Sequence, residues 1–181
     1  GRRREERQEL NRRDGCAVGS TDWRKEEGTL RLAFQNINGF GLSKEKIKDK
    51  QLFDFLKEEE VDMMGMAEAN ICWPKADQKN RLWDRTRGWF ECSNVNYAHN
   101  TLEPRISTLS QPGGVASIIV DKLAHKVDAS GKDFTGLGRW TWKKFKEKNN
   151  MHLRVITVYR PCKTEGSKTA YTQQLRYLTK I

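Results

Sequence analysis

Two stretches decide how this chain folds: Leu30 to Gly39, LRLAFQNING, and Val61 to Asn70, VDMMGMAEAN. Each is an apolar run that stops abruptly at groups able to hold a cation or a phosphate, Asn36 and Asn38 in the first and Glu68 in the second. Between them, Lys44 to Glu59 sets Ile47, Leu52, Phe55 and Leu56 on one helical face behind a Ser43 cap. A strand, a helix and a strand in that order normally pair the strands in parallel through a right-handed crossover. Their carboxyl ends then lie side by side, where ligands gather in open α/β sheets. Asn36, Asn38 and Glu68 are therefore expected at one edge. A glutamate closing an apolar strand is costly to desolvate unless it is paired or binds a hard cation such as Mg²⁺. The competing reading of Glu68 is a helix cap or a solvent-facing acid.

Working outward, Arg87 to Val95 (RGWFECSNV) and Gly113 to Asp121 (GGVASIIVD) read as further strands, separated by a polar loop with Pro104 and Pro112. Gly138 to Lys146 and Met151 to Tyr159 read as a hairpin turning through EKNN, and Ser167 to Lys180 as a helix with Tyr171, Leu175 and Leu178 in register. Residues 1 to 27 are polar, mixed in charge and nearly free of aliphatic side chains, the composition of a linker, a solvated tail or a frayed helix. The organisation expected is a tail over 1–27 and a single domain over 28–181. Gly1 stands where a Met would start a complete chain, and the last segment runs to Ile181 without turn or tail composition, so both ends read as cuts.

The sequence contains neither an apolar run near membrane-spanning length nor a signal peptide, and its four cysteines form no C-x-x-C pair. An intracellular chain, nuclear or cytoplasmic and with reduced thiols, is expected, with no membrane partner. The net charge of +10 is concentrated: residues 122–181 carry 14 Lys and Arg against 4 Asp and Glu. A localised basic region is the footprint of a phosphate-bearing partner, nucleic acid above all; a merely soluble surface is the alternative. RWTWKKFKEK, from Arg139, interleaves Arg139, Lys143, Lys144, Lys146 and Lys148 with Trp140, Trp142 and Phe145. Cations on phosphates beside faces for bases would suit a nucleic acid. The tryptophans read better as core residues of a sandwich strand, with the lysines turned to solvent. GFGLSK at Gly39 lacks the third glycine of a dinucleotide fingerprint and the spacing of a P-loop, and GLGR at Gly136 fails the same test. His99, His125 and His152 have no evident Ser or Cys partner and read as ordinary surface or loop residues.

The order of QNING, VDMMGMAEAN, GGVASIIV and LRVITVYRP resembles the N-terminal half of the endonuclease/exonuclease/phosphatase superfamily. NING and the VYRP strand end are most similar to the endonuclease domains of non-long-terminal-repeat retroelements. The resemblance spans Leu30 to Ile181. It implies an α/β fold, part of a two-sheet sandwich truncated at its C-terminus, and metal-dependent hydrolysis of phosphodiester or phosphomonoester bonds with Mg²⁺, or Mn²⁺ in its place. On the matched motifs, Asn36 corresponds to the first active-site Asn, Glu68 to the metal-binding Glu, with Asn36 beside the metal, and Tyr159 to the Tyr that places the phosphate. Asn38 falls where repair-type members carry Asp and retroelement members carry Asn. With Arg139, Lys143, Lys144, Lys146 and Arg160, it completes the expected nucleic-acid contacts, DNA being the expected partner. Ala67 departs from the family, which has Gln before the Glu. The larger departure is that no Asp-x-Asn or Ser-Asp-His, the family's nucleophile-orienting and general-base motifs, occurs anywhere in the sequence. The resemblance thus implies a retroelement endonuclease fragment, inactive alone and continuous with a reverse transcriptase region in its parent polyprotein. The alternatives are a phosphatase relative and a non-catalytic nucleic-acid-binding remnant.

Overall fold

A computed structural model describes residues 25–40, 47–71, 73, 76–102, 111, 113–146 and 152–159. Its elements are β1 (Leu32–Asn36), α1 (Ile47–Glu58), β2 (Met63–Ala67), α2 (Ala76–Arg87), β3 (Ser93–Ala98), β4 (Val115–Val120), α3 (Asp121–Ala124), β5 (Val127–Lys132), β6 (Trp140–Lys146) and β7 (His152–Val158). The strands form two sheets, a mixed four-stranded one in the order β1-β2-β4-β3 and an antiparallel three-stranded one in the order β5-β6-β7.

β1 and β2 pair in parallel, Leu32 opposite Met63 and Asn36 opposite Ala67, as a strand-helix-strand unit requires. β2, MMGMA, is buried along its whole length, because both faces of the sheet are covered. Met64 and Met66 pack with Phe53, Leu56, Ala116 and Ile118 in a core on the helical side. Met63 packs with Ile119, Leu123 and Phe145 in a second core between the sheets. The sheets come closest where Gly65 meets Thr157: a Cβ at Gly65 would stand 2.8 Å from the Thr157 hydroxyl. α1 is tied to α2 by an ion pair between Asp49 and Arg85, both largely buried.

The expected strand over Arg87 to Val95 is corrected. Arg87 closes α2, and the Trp89 and Phe90 amides both donate to the Thr86 carbonyl at 3.0 Å, forming a turn. The apolar pair fills the core from that turn, Phe53 lying 5.7 Å from Trp89 and 6.0 Å from Phe90 between ring centroids. The strand begins only at Ser93. Neither α2 nor the short α3 nor β5 is signalled by the sequence: β5, VDASGK, has few apolar residues and alternates between partial and full exposure, as an edge strand can. The hairpin of β6 and β7 is present, Trp140 opposite Val158 and Lys146 opposite His152. The expected helix over 167–180, the Ser43 cap and most of the tail lie outside the described residues.

Candidate functional site

The two carboxyl ends of β1 and β2 are held together beyond the sheet by their own loops. The amides of Ile37, Gly39 and Phe40 donate in turn to the carbonyls of Ala67, Glu68 and Ala69, at 3.1, 2.7 and 2.7 Å. This keeps the loop bearing Asn36 and Asn38 alongside the one bearing Glu68. The Asn36 side-chain oxygen accepts the Asn38 amide at 3.1 Å, a turn that Asn forms readily. Asn38, Glu68 and Asn70 all adopt positive φ, 41°, 52° and 51°. Asn tolerates that region, but a glutamate held there costs on the order of 1 kcal/mol or more, and such positions cluster at functional sites.

A third chain segment joins through Asn70, a residue to which sequence reasoning assigned nothing. Its amide donates to Gly113 O at 2.9 Å, and its side-chain oxygen accepts the Gly113 amide at 2.7 Å. Gly113 has φ +83°, a conformation that favours glycine, and it lies against the fourth segment: a Cβ there would be 3.4 Å from Arg139 Nη1 and 3.7 Å from Tyr159 Cε1, ordinary contact. Arg139 lies over the Tyr159 ring, 5.1 Å from its centroid, and the Tyr159 amide donates to Arg139 O at 2.7 Å. The Arg139 Nε is buried and has no hydrogen-bond partner among the described residues, leaving a charged donor for an anion.

Asn36, Asn38, Glu68, Arg139 and Tyr159 are therefore drawn to one end of the sandwich through a continuous run of contacts. His99 lies at the same end, one residue past Ala98, which pairs with Val115 beside Glu68's strand. Burial, helped by the nearby Lys132, holds its imidazole below the ordinary value, so it is neutral at pH 7. Its sequence neighbourhood carries no signal that could have singled it out.

The remaining basic residues are not part of this end. Lys144 and Lys146 sit at the other end of β6, roughly 20 Å from Arg139 at the rise of a strand. Both pair with Asp128 at 3.4 Å, and these lysines lower the Asp128 pKa. Lys143, expected to face solvent, is 1% exposed: it points between the sheets and donates to the Asn94 side-chain oxygen. Desolvation there lowers its pKa to about 8, and it is in no position to meet a phosphate at the surface. The strand alternates, so the neighbours of Lys143 on the inner face are Thr141 and Phe145, while both tryptophans belong to the outer face. Trp140 is buried at 5% exposure, as expected of a core residue, while Trp142 is only half-buried. Phe134 meets the Trp140 ring edge-on, 5.6 Å between centroids, and Trp142 lies under Arg154 at 4.7 Å. Arg160 lies outside the described residues.

A hard cation fits the donor set at the ends of β1 and β2: one carboxylate at Glu68 and one amide oxygen at Asn36. Among the described residues no three His, Cys, Asp or Glu side chains gather to form a closed cage. Mg²⁺ bound through one or two protein oxygens, with water and substrate oxygens completing its shell, suits such a set.

No family model matches the sequence, and no curated protein matches it. Solved structures do match by fold. The AP endonuclease LMAP of Leishmania major superposes with a TM-score of 0.57 at 12% identity, covering 82% of this chain and 44% of that one. An endonuclease/exonuclease/phosphatase family protein from Leptotrichia buccalis gives a TM-score of 0.54 at 12% identity, covering 84% of this chain and 63% of that one. The fold is thus the α/β sandwich of those structures, and the chain spans less than two thirds of either. Among the described residues no helix is long and apolar enough to cross a membrane.

Proposed function

We propose that the end of the sandwich carrying Asn36, Glu68, Arg139 and Tyr159 binds a phosphodiester of nucleic acid for metal-assisted hydrolysis. The observation that carries the reading is the run of contacts from the β1 and β2 loops through Asn70 and Gly113 to Arg139 and Tyr159. It supports the reading by bringing the Glu68 carboxylate and the Arg139 guanidinium to one end of the molecule, the first suited to a cation and the second to an anion. Glu68 and Asn36 would hold Mg²⁺ or Mn²⁺, which when bound stabilises charge developing on the phosphate. Arg139 neutralises the phosphate, with its planar fork suited to two oxygens, and Tyr159, capped by that guanidinium, orients it. Asn38 fixes the side chain of Asn36 through its amide.

Activation of water is the step this chain does not supply in the usual way, since the sequence holds no Asp-x-Asn and no Ser-Asp-His. Turnover by this chain alone is therefore expected to be at most trace. NING and VYRP favour the retroelement type of nuclease, with DNA as substrate and a reverse transcriptase region in the same polyprotein. The basic balance of residues 122–181 disfavours a small phosphomonoester substrate.

The test uses Mn²⁺ as a paramagnetic probe titrated into the protein. Glu68→Gln keeps the shape and removes the charge, so it should weaken Mn²⁺ binding at least roughly ten-fold, while nucleic-acid affinity in the absence of metal changes little. Equal Mn²⁺ binding by both proteins would return Glu68 to the role of a surface acid at a strand end.

A further inference from the structure

The cations of the smaller sheet are unequally engaged. Lys144 and Lys146 pair with Asp128, and Lys143 is buried against Asn94. Lys132, the last residue of β5, is exposed, and its ammonium enters no ion pair among the described residues. The adjoining acid does not neutralise it. The Asp133 carboxylate is turned into its own loop, where it accepts the Thr135 amide at 2.8 Å, the Thr135 hydroxyl at 2.6 Å and the Arg139 amide at 2.8 Å. A single exposed lysine is ordinary; the place of this one is what gives it meaning.

Lys132 lies opposite Thr141, and residues paired across two strands share a face of the sheet. Thr141 in turn lies opposite Thr157, whose hydroxyl meets Gly65 of the larger sheet. Lys132 therefore leaves β5 on the side that faces the larger sheet. The Asp133 amide donates to Trp140 O at 3.0 Å, so β5 and the strand after it stay paired to this point. Arg139 is then the diagonal neighbour of Lys132, about 7–8 Å away between Cα atoms. Tyr159 follows on the third strand, its amide bonded to Arg139 O. Lys132, Arg139 and Tyr159 thus stand in a row across the end of the three-stranded sheet. The larger sheet, in its order β1-β2-β4-β3, presents Asn36, Glu68, Gly113 and His99 at the same end. The rows face each other in register: Gly113 lies against Arg139 and Tyr159, and Lys132 is close enough to His99 for its charge to help lower the imidazole's pKa. Together they line a band that runs from the proposed cation site to Lys132 at the opposite edge.

We infer that Lys132 binds the phosphate next to the one at Arg139 on the same nucleic-acid strand, which crosses the end of the sandwich from Glu68 toward β5. This rests on the nucleic-acid reading above and deepens it. A lone phosphate group is satisfied by Arg139; a second unpaired cation one strand further along suits a polymer that carries a charge on every residue.

The experiment measures binding of a short single-stranded deoxyoligonucleotide by anisotropy across a salt series without Mg²⁺. Lys132→Ala should bind several-fold more weakly at low salt. Its slope of log affinity against log salt should shrink by about 0.7, the share of one phosphate contact on a single strand. Lys132→Arg should keep the wild-type slope, and so should Lys146→Ala, whose lysine lies at the other end of β6. NMR titration of the His99 imidazole gives a second readout. The oligonucleotide should raise its pKa in the wild type, because a phosphate at Lys132 offsets that cation, and should raise it less in Lys132→Ala. Because Lys132 is exposed, thermal melts of its variants should match the wild type. Wild-type affinity and slope in Lys132→Ala, or a loss in Lys146→Ala as large as in Lys132→Ala, would overturn the inference alone. Failure of the wild-type chain to bind any oligonucleotide would overturn the nucleic-acid reading, and this inference with it.

Discussion

Lys143 illustrates how a single residue can be misread from its neighbours. In RWTWKKFKEK it is one of a row of cations, yet strand alternation turns it inward while Lys144 and Lys146 turn out. Its ammonium is buried with the Asn94 oxygen as acceptor, and the Ser117 and Thr141 hydroxyls, also buried, have no hydrogen-bond partner among the described residues. A lysine whose folded pKa is about 8, against an ordinary 10.5, binds its proton less tightly folded than unfolded. Below pH 8 both states are protonated and the full desolvation cost is present. Between about 8 and 10.5 the unfolded chain holds more protons, so stability rises with pH across that window. We expect urea denaturation to show a gain of up to about 3 kcal/mol between pH 7 and pH 11 from this group. Lys143→Met should remove that pH dependence and be as stable or more stable at pH 7. A parallel pH profile in the two proteins would place the ammonium in contact with water. The placement of Asn36 and Glu68 side by side, by contrast, was readable because each ends an apolar run of one strand-helix-strand unit.

Among the elements, α1, β2, β4 and the β6–β7 hairpin were legible because their apolar periodicity is strong: they bury one or both faces in the two cores. β1 was legible from its apolar run alone, although Leu32 and Phe34 are exposed. β5 was not, since an exposed edge strand needs little apolar content, and the start of β3 was obscured by Trp89 and Phe90, which are apolar for the sake of a turn. The inward residues of β3 that face the second sheet are Asn94 and Asn96, bonded to Lys143 and to Gly131 O, so polarity conceals a buried face. The loops at the functional end were least legible: Asn70 and Gly113 take their meaning from each other, far apart along the chain. Gly138 is the clearest case. Its φ is +71°, and a Cβ there would stand 2.2 Å from the His99 carbonyl carbon. Gly138→Ala should therefore force the β5–β6 loop away from the 99–102 segment, with a loss of several kcal/mol and a lowered melting temperature. A melting temperature within a degree of the wild type would mean that these segments are not held together in solution.

At the scale of the whole molecule, two sheets are packed face to face with helices behind the larger one, and the three-stranded sheet stops over β2. Leu32 and Phe34, on β1 beyond that limit, are 47% and 57% exposed. The chain matches less than two thirds of the length of the solved structures that share its fold. It carries the cation-binding and phosphate-binding groups of the proposed site but neither motif for activating water. Plasmid incubated with the purified chain and Mg²⁺ should therefore stay supercoiled, with at most trace nicking; robust nicking would mean that another group serves as base. The central claim is that Glu68 and Arg139 act on one phosphate although they lie on different sheets. A double-mutant cycle on Mg²⁺-dependent oligonucleotide affinity, with Glu68→Gln, Arg139→Gln and the pair, tests it most directly. Joint action on one phosphate predicts that the effects are non-additive, with a coupling of about 1 kcal/mol or more that disappears when Mg²⁺ is omitted. Additive effects, or a coupling unchanged without Mg²⁺, would contradict it.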